Sequence, residues 1–455
     1  MKPMAAMANR VARVGVIGLG ATGVSCLRYL RRLGYDVIVF DTRSDPPGRM
    51  QALQEFPDVT IITGPVEARQ LAGFEFVVVS PGVPLAEPGL REIEHRGTPL
   101  IGDIELFARA TTRPVLAITG SNGKSTVTSL VGRMCVESGL RALTAGNIGL
   151  PVLDALADDR TDVYVLELSS FQLETTHSLN AMAAAVLNIS PDHMDRYADL
   201  AQYAAAKARI FHGNGLMVLN RDDSVVTAMA RPGRRMTTFS LEAPAAESEY
   251  GVIEYSGEPW LVAGGRRFMR CGDIPLVGRH NWANVLAAVA LAQAAGVPLD
   301  AARRAVAGFS ALPHRAEVVA EVDGVLWVND SKGTNVGATA AALAGMTRPV
   351  ILIAGGLGKG ADFTLLRDAV RSRVRRLLLI GRDAGQIASA LEDLCPVEWC
   401  QSLEDAVTSA RITARRGDAV LFSPACASFD MFRNFEHRGA VFRAAVRQIV
   451  GEGAA

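Results

Sequence analysis

Lysine is scarce in this chain. Of 47 basic residues, five are lysines (Lys2, Lys124, Lys207, Lys332 and Lys359) and 42 are arginines. Arginine is the default cation here, so a lysine marks a candidate place for a compact or titratable charge that a guanidinium cannot supply. Three of the five, Lys124, Lys332 and Lys359, sit in loops containing glycine or serine. Net charge is lacking as well. The 47 basic residues balance 47 acidic ones, which argues against nucleic acid or an anionic membrane as partner. No apolar run approaches the roughly 20 residues needed to cross a bilayer. Met1 to Arg10 carries no apolar stretch of the kind a secretory signal needs. The six cysteines (Cys26, Cys135, Cys271, Cys395, Cys400, Cys426) are scattered without a Cys-x-x-Cys pair. That argues against a disulfide frame or structural zinc and fits a reducing cytoplasm. Solenoid repeats and low-complexity tracts are absent.

Length and apolar content are plentiful: 455 residues, 49% hydrophobic. That is too much for one core and enough for two to four domains. The chain is organised around one stretch. Pro114 to Ile118 reads as a buried strand, and Lys124 to about Glu137 as a helix. Between them runs Gly120-Ser121-Asn122-Gly123-Lys124-Ser125-Thr126. Glycines let backbone N–H groups face a phosphate, and the helix N-terminus adds positive potential. A lysine there reaches terminal phosphates, and the first hydroxyl can hold Mg²⁺. Ile118 stands where the general P-loop pattern has its first glycine, so the shorter Gly-x-x-Gly-Lys-Ser-Thr form fits better.

Upstream, an apolar strand from Val11 runs into Gly18-Leu19-Gly20-Ala21-Thr22-Gly23 and a helix to about Leu33. A second strand, Asp36 to Phe40, ends at Asp41-Thr42-Arg43, with the acid 23 residues after the first glycine. This is a Rossmann-type fingerprint. Asp41 can take a ribose hydroxyl and Arg43 can suggest NADP, so the motif says nucleotide or dinucleotide without choosing. Phe76 to Val79 delivers Ser80-Pro81-Gly82 to the same edge.

Downstream, Gly146-Asn147-Ile148-Gly149 follows the central loop. The strand Val163 to Leu166 runs into Glu167, and Ala183 to Ile189 runs into Ser190-Pro191-Asp192-His193. Parallel strands bring such tails to one edge, where a carboxylate and an imidazole beside a triphosphate suit Mg²⁺. A helix-capping Glu167 and a merely hydrogen-bonded His193 are the plainer alternatives. Lys207, on an Ala-rich helix from Leu200 to Phe211, reads by itself as a surface charge. Short alternating strands between Val252 and Arg270 suggest a small β layer. Asn281 and Asn284 share a face in the first turn of a helix running to Ala295, where they can read an adenine edge or cap the helix. From about Ala311, strand–helix repeats return. They carry Arg315, Asn329-Asp330-Ser331-Lys332-Gly333-Thr334-Asn335, Gly358-Lys359-Gly360 and Ser423-Pro424-Ala425-Cys426-Ala427-Ser428-Phe429-Asp430-Met431-Phe432. The fold class read from these patterns is α/β in three domains. They are an N-terminal Rossmann-like nucleotide-binding domain (1–106), a central P-loop-type mononucleotide-binding sheet with a small β layer (107–312), and a C-terminal Rossmann-like domain (313–455).

These motifs, with Glu167-Leu168-Ser169-Ser170-Phe171-Gln172 and Asn188-Ile189-Ser190-Pro191-Asp192-His193-Met194-Asp195, resemble the Mur ligase family, most of all its D-glutamate-adding branch. The similarity spans all three units; only the first ten residues and Glu242 to Gly251 look idiosyncratic. The resemblance implies ATP-driven addition of D-glutamate to UDP-N-acetylmuramoyl-L-alanine, with two Mg²⁺ ions. The substrates are then small molecules, and the chain works as a cytoplasmic monomer. By motif, Lys124 grips the β- and γ-phosphates, Ser125 and Glu167 hold the first Mg²⁺, and His193 meets the second. Lys207 aligns with the lysine this family carbamylates. Gly120 to Thr126, Asn281, Asn284, Arg315 and Asp330 serve ATP. Gly20, Thr22, Asp41, Thr42, Arg43, Ser80, Gly82 and Asn147 serve the UDP-linked substrate. Lys332, Thr334, Lys359, Ser423 and Phe432 form the D-glutamate pocket. The rivals are ligases of the same family adding L-alanine, a diamino acid or a dipeptide, an NADP-dependent oxidoreductase, and a non-enzymatic nucleotide-binding regulator.

Overall fold

The computed structural model describes residues 12–452; Met1 to Arg10, where no signal segment is expected, lies outside them. Strands and helices alternate into three sheets. The first is parallel throughout, in the order Thr60–Thr63, Asp36–Asp41, Arg13–Ile17, Val77–Val79, Leu100–Ile101. The nine-stranded second sheet centres on Val115–Thr119, with Val163–Glu167 and Ala142–Gly146 on one side and Ala183–Val186 on the other. The third places Ala419–Phe422 between Val325–Asn329 and Val350–Gly355, continues through Val374–Ile380 and Val397–Trp399, and closes its far edge with antiparallel Glu317–Val322.

Two differences from the sequence reading concern the central unit. The small β layer is not separate. Leu216–Asn220, Met236–Phe239 and Tyr250–Tyr255 continue the parent sheet in parallel, and only Glu258–Ala263 and Arg266–Arg270 turn antiparallel. An open sheet edge offers unpaired backbone groups, and these short strands satisfy theirs on it. The strand expected over Ala183 to Ile189 ends at Val186. Past that point Asn188 turns its side chain onto the phosphate loop: its Oδ1 accepts from Asn122 N at 2.8 Å and its Nδ2 donates to Asn122 O at 3.1 Å.

The way the units are joined differs between the two junctions. One apolar core runs unbroken from Val14, Val16 and Leu27 of the first sheet through Phe107 to Val115, Ala117 and Leu166 of the second. The expected division at 106/107 falls inside the Asp103–Ala110 helix. That helix packs on the central unit, with Phe107 edge-on to Tyr164 at 5.0 Å and Glu105 Oε2 accepting from the backbone of His177 and Ser178. The third unit keeps its apolar clusters to itself, none reaching upstream of Ala316. It meets the central unit across a cleft, with no apolar cluster shared between them.

Candidate active site

Parallel strands deliver their C-terminal ends to one edge, and that edge is where α/β sheets hold ligands. Here the edges of the second and third sheets face one another across a cleft of about 830 Å³, a size suited to a small-molecule site. Gly120, with φ 151°, turns the chain off the Val115–Thr119 strand, and Gly123, with φ 84°, starts the Lys124–Glu137 helix. A Cβ on Gly123 would stand 2.5 Å from Asn284 Oδ1, so this turn tolerates no side chain. Lys124 Nζ curls back to donate to Gly120 O (2.8 Å) and Ser121 O (2.9 Å). Burial lowers its pKa. Gly120 itself contributes its carbonyl; Ser121, Asn122, Gly123, Lys124, Ser125 and Thr126 line the cleft.

Glu167 is the last residue of its strand and sits level with Ile118. Its carboxylate is buried. Oε1 accepts from Asn147 Nδ2 at 2.7 Å, and Oε2 has no partner. An orphaned buried carboxylate oxygen is expensive unless a cation meets it. Beside it, Ser125 Oγ accepts a hydrogen bond from the Arg315 guanidinium. A carboxylate oxygen and a hydroxyl facing a phosphate loop fit Mg²⁺, which takes few protein ligands and completes its shell with phosphate and water. Among the described residues no three His, Cys, Asp or Glu side chains gather as an all-protein metal cage.

Lys207 lies at the floor, 1% exposed, where the sequence alone suggested surface. Nζ donates to Gly120 O at 3.0 Å and Thr119 Oγ1 at 3.3 Å, and lies over the Tyr203 ring. Burial first, and the Lys124 charge second, hold its pKa well below the ordinary lysine value. His193 adopts φ 59°, a conformation that costs about 1–3 kcal/mol and clusters at functional sites. Its Nε2 stands 3.7 Å from Asp192 Oδ2 and its ring meets Phe171 edge-on. Burial pushes its pKa down to about 4; Asp192 opposes that, while Lys359, Lys124 and Lys207 reinforce it. The imidazole is therefore neutral at physiological pH and able to ligate.

Asn281 and Asn284 line the same cleft from the Arg279–Ala294 helix. Asn284 Nδ2 donates to Asn281 Oδ1 at 2.9 Å, and Asn281 Nδ2 to Val277 O at 2.7 Å. From the third sheet come Arg315, Asp330, Lys332, Thr334 and Lys359. Asp330 is raised to about 6 by burial and accepts from Ser423 Oγ at 2.7 Å. Lys332 is lowered to about 8, by burial first and then by Arg315 and Lys124. Lys359 holds φ 53° on its glycine loop.

Two residues expected in the amino-acid pocket do not line this cleft. Ser423 is fully buried beneath it, its hydroxyl committed to Asp330 and Thr339. Phe432 packs back against the third unit's own core and His437, and the phenylalanines that the third unit turns to the cleft are Phe429 and Phe435. The chain turns here, Phe432 N donating to Ser428 O at 2.8 Å, and the turn carries Phe432 away. The first-sheet residues form a separate group at their own edge. Gly20 starts the Ala21–Arg32 helix, whose first turn holds Thr22, and Ser80 Oγ donates to Gly18 O at 2.8 Å. Asp41 is not free for a ribose. Oδ2 accepts from Leu19 N at 2.7 Å, and both oxygens take Arg43. Those contacts hold its pKa at about 2 against the opposing effect of burial. Thr42 lies exposed in the same turn. Asn147 is the one expected UDP-substrate residue within the cleft.

Comparison with known proteins bears on what this arrangement serves. Three family descriptions match in succession: Mur ligase MurD-like, N-terminal domain, over 12–102; Mur ligase middle domain over 118–292; and Mur ligase, glutamate ligase domain, over 314–426. The UDP-N-acetylmuramoylalanine–D-glutamate ligase of Methylobacillus flagellatus is 53% identical over 440 residues, covering 96% of this chain and 97% of its own. The chain belongs to the Mur ligase family. The enzyme of the same name from Nitrosococcus oceani is 50% identical, with 96% of each chain covered. Among solved structures, a pseudomurein peptide ligase type C from Methanothermus fervidus aligns with TM-score 0.62 at 18% identity over 96% of this chain and all of its own. The UDP-N-acetylmuramate–alanine ligase of Thermotoga maritima aligns at 0.59 and 17%, covering 96% and 99%. At such identity they share the fold.

In this Mur ligase, sequence reasoning passed over two connectors. Arg196 donates to Pro81 O (3.0 Å) and Val83 O (3.3 Å) while lying 4.1 Å from the Phe171 ring centre, so it ties the first unit's loop to the ring beside His193. Arg438, 1% exposed, donates to Ser331 O (2.7 Å) and Cys426 O (3.0 Å) and so clamps two cleft loops together. Both are arginines in a chain where arginine is ordinary, so composition carried no signal for them.

Proposed function

We infer that this chain joins D-glutamate to UDP-N-acetylmuramoyl-L-alanine, driven by ATP. A carboxylate resists attack by an amine because oxide is a poor leaving group. Transfer of the γ-phosphoryl group makes an acyl phosphate, the amine adds to give a tetrahedral intermediate, and phosphate departs as the amide forms. The observation that carries this reading is a single cleft with a phosphate loop on one wall and Lys332, Thr334 and Lys359 on the other. A triphosphate and an amino acid can meet there with a carboxylate between them.

In this reading Lys124 leaves its loop carbonyls for the β- and γ-phosphates. Arg315, already at Ser125, moves to the same charge. Asn281 and Asn284 flank the nucleotide, with Asp330 fixing the loop below. Lys332, Thr334 and Lys359 hold the D-glutamate carboxylates. Ser423 supports them from beneath, through Asp330. The first unit's Gly20, Thr22, Asp41, Thr42, Arg43, Ser80 and Gly82 hold the UDP moiety, with Asp41 setting the position of Arg43. Ser125 and Glu167 would hold one Mg²⁺, and His193 with a carbamate on Lys207 a second; these ions neutralise charge where triphosphate meets carboxylate. Burial disfavours the charged form of Lys207, and the neutral amine is the form that adds CO₂, which supports the carbamate. The first two functional units meet through the Asp103–Ala110 helix, the third begins at 312/313, and the chain works as a monomer.

The decisive test is ADP release in the presence of UDP-N-acetylmuramoyl-L-alanine and each candidate amino acid. D-glutamate should stimulate it well above the others. Stimulation by a diamino acid and not by D-glutamate would overturn the substrate assignment.

A further inference from the structure

We propose that Asn335 and Gly337 form the contact through which the amino-acid loop is set in register with the phosphate loop, Asn335 acting as a positioning residue. Asn335 directly follows Thr334 and caps the Val336–Gly345 helix, its Oδ1 accepting from Ala338 N at 2.8 Å. Capping needs nothing more than that. Yet the same side chain reaches into the central unit. Nδ2 donates to Asn122 Oδ1 at 3.1 Å and to Asp192 Oδ2 at 3.0 Å, and Oδ1 also receives Asn122 Nδ2 at 3.3 Å. Every polar atom of the side chain is used, and the residue is buried. The facing groups are a phosphate-loop residue and the acid beside His193.

Gly337 is what allows so close an approach. A Cβ there would stand 2.6 Å from Ser190 Oγ and 3.4 Å from Asn122 Nδ2. Its backbone is not left-handed, so the helix accepts alanine there as readily as glycine. The demand for glycine comes from the neighbouring unit. Because no apolar core joins the third unit to the second, polar contacts such as these decide how Lys332 and Thr334 stand relative to Lys124. Any ligand that orders the Asn122 loop then favours the amino-acid site, and linkage makes the effect reciprocal.

The inference rests on the ligase reading, and its test keeps the two apart. D-glutamate affinity is measured calorimetrically on the full chain with UDP-N-acetylmuramoyl-L-alanine, with and without a non-hydrolysable ATP analogue. The wild type should show a ratio of about tenfold or more, in the range typical of coupled sites. Asn335→Asp keeps the helix cap but loses the amide donors and faces Asp192 with a like charge. Gly337→Ala keeps the helix and adds only the methyl. Both should bring the ratio to within about twofold of one, and lower kcat with little change in KM for ATP. Unchanged melting temperature in Gly337→Ala separates this from misfolding. A ratio near one in the wild type, or a wild-type ratio in both variants, overturns the proposal. If D-glutamate fails to drive ADP release and another amino acid does, the D-glutamate assignment falls instead, and the same cycle is run with that amino acid.

Discussion

Lys207 shows how much a single side chain depends on its surroundings. A lysine with no acid bonded to it, donating to a backbone carbonyl and a threonine hydroxyl at the floor of the cleft, pays for its charge in lost hydration. Its depressed pKa favours the neutral amine, which can carry a carbamate, whereas arginine stays a cation. Lys207→Ala should lower D-glutamate-dependent ADP release by about 100-fold or more, the scale of a lost catalytic charge. Lys207→Arg should do no better. Full activity in the arginine variant would remove the carbamate from the account, as would the lack of a carbamate carbon resonance after ¹³C-bicarbonate labelling of the wild type. Lys124, Glu167 and His193 were legible in sequence because each follows a recognisable apolar strand. Lys207 was not, except by resemblance, since an Ala-rich helix does not say which face is buried. Phe432 misled for a related reason: the turn at Ser428 decides which phenylalanine faces the cleft.

At the scale of elements, the Asp103–Ala110 helix welds the first unit to the second. Asp103 is buried at its start, with Oδ2 accepting from Gln172 and Oδ1 unpartnered. Burial raises its pKa to about 6. The folded chain thus binds this proton more tightly than the unfolded chain. The stability it lends is complete below about pH 4 and is lost as pH rises through about 6. Asp103→Asn, neutral at every pH, should therefore raise the melting temperature at pH 7.5, with a gain worth up to ~3 kcal/mol. That gain should shrink to nothing by pH 4. A gain independent of pH, followed by calorimetry, would mean the carboxylate is already satisfied. This helix was visible as a boundary region in sequence. That it lies within the junction, and not between two separate bodies, follows from Phe107 meeting Tyr164. No local pattern records that contact.

For the whole molecule, the two junctions differ in kind. A shared apolar core resists hinging, because opening it would expose buried surface at about 25 cal/mol per Å². A junction without such a core, crossed by hydrogen bonds such as Asn335 to Asn122 and Asp192, can exchange those bonds for water at small net cost. Adding Mg²⁺ and a non-hydrolysable ATP analogue should therefore move the third unit while the first two travel together. Fluorophores on cysteines placed at exposed Leu53, Met236 and Leu365, in a Cys400→Ser background, would report it. The remaining native thiols are buried. Transfer between the labels at 53 and 236 should stay constant, and transfer from either to 365 should change. Equal changes in all three pairs would contradict the division.

By itself the sequence determined the local chemistry. The loop of glycines and hydroxyls around Lys124, the strands that run into Glu167 and Asp330, and the alternation of strand and helix are all set by residues close in the chain. Tertiary structure alone decided which of those ends share a cleft, that Lys207 is stripped of water, that Asp41 accepts from Leu19 N, and that two units share an apolar core which the third does not join. Burial and charge proximity are sums over neighbours distant in sequence, and only the packed chain brings those neighbours together.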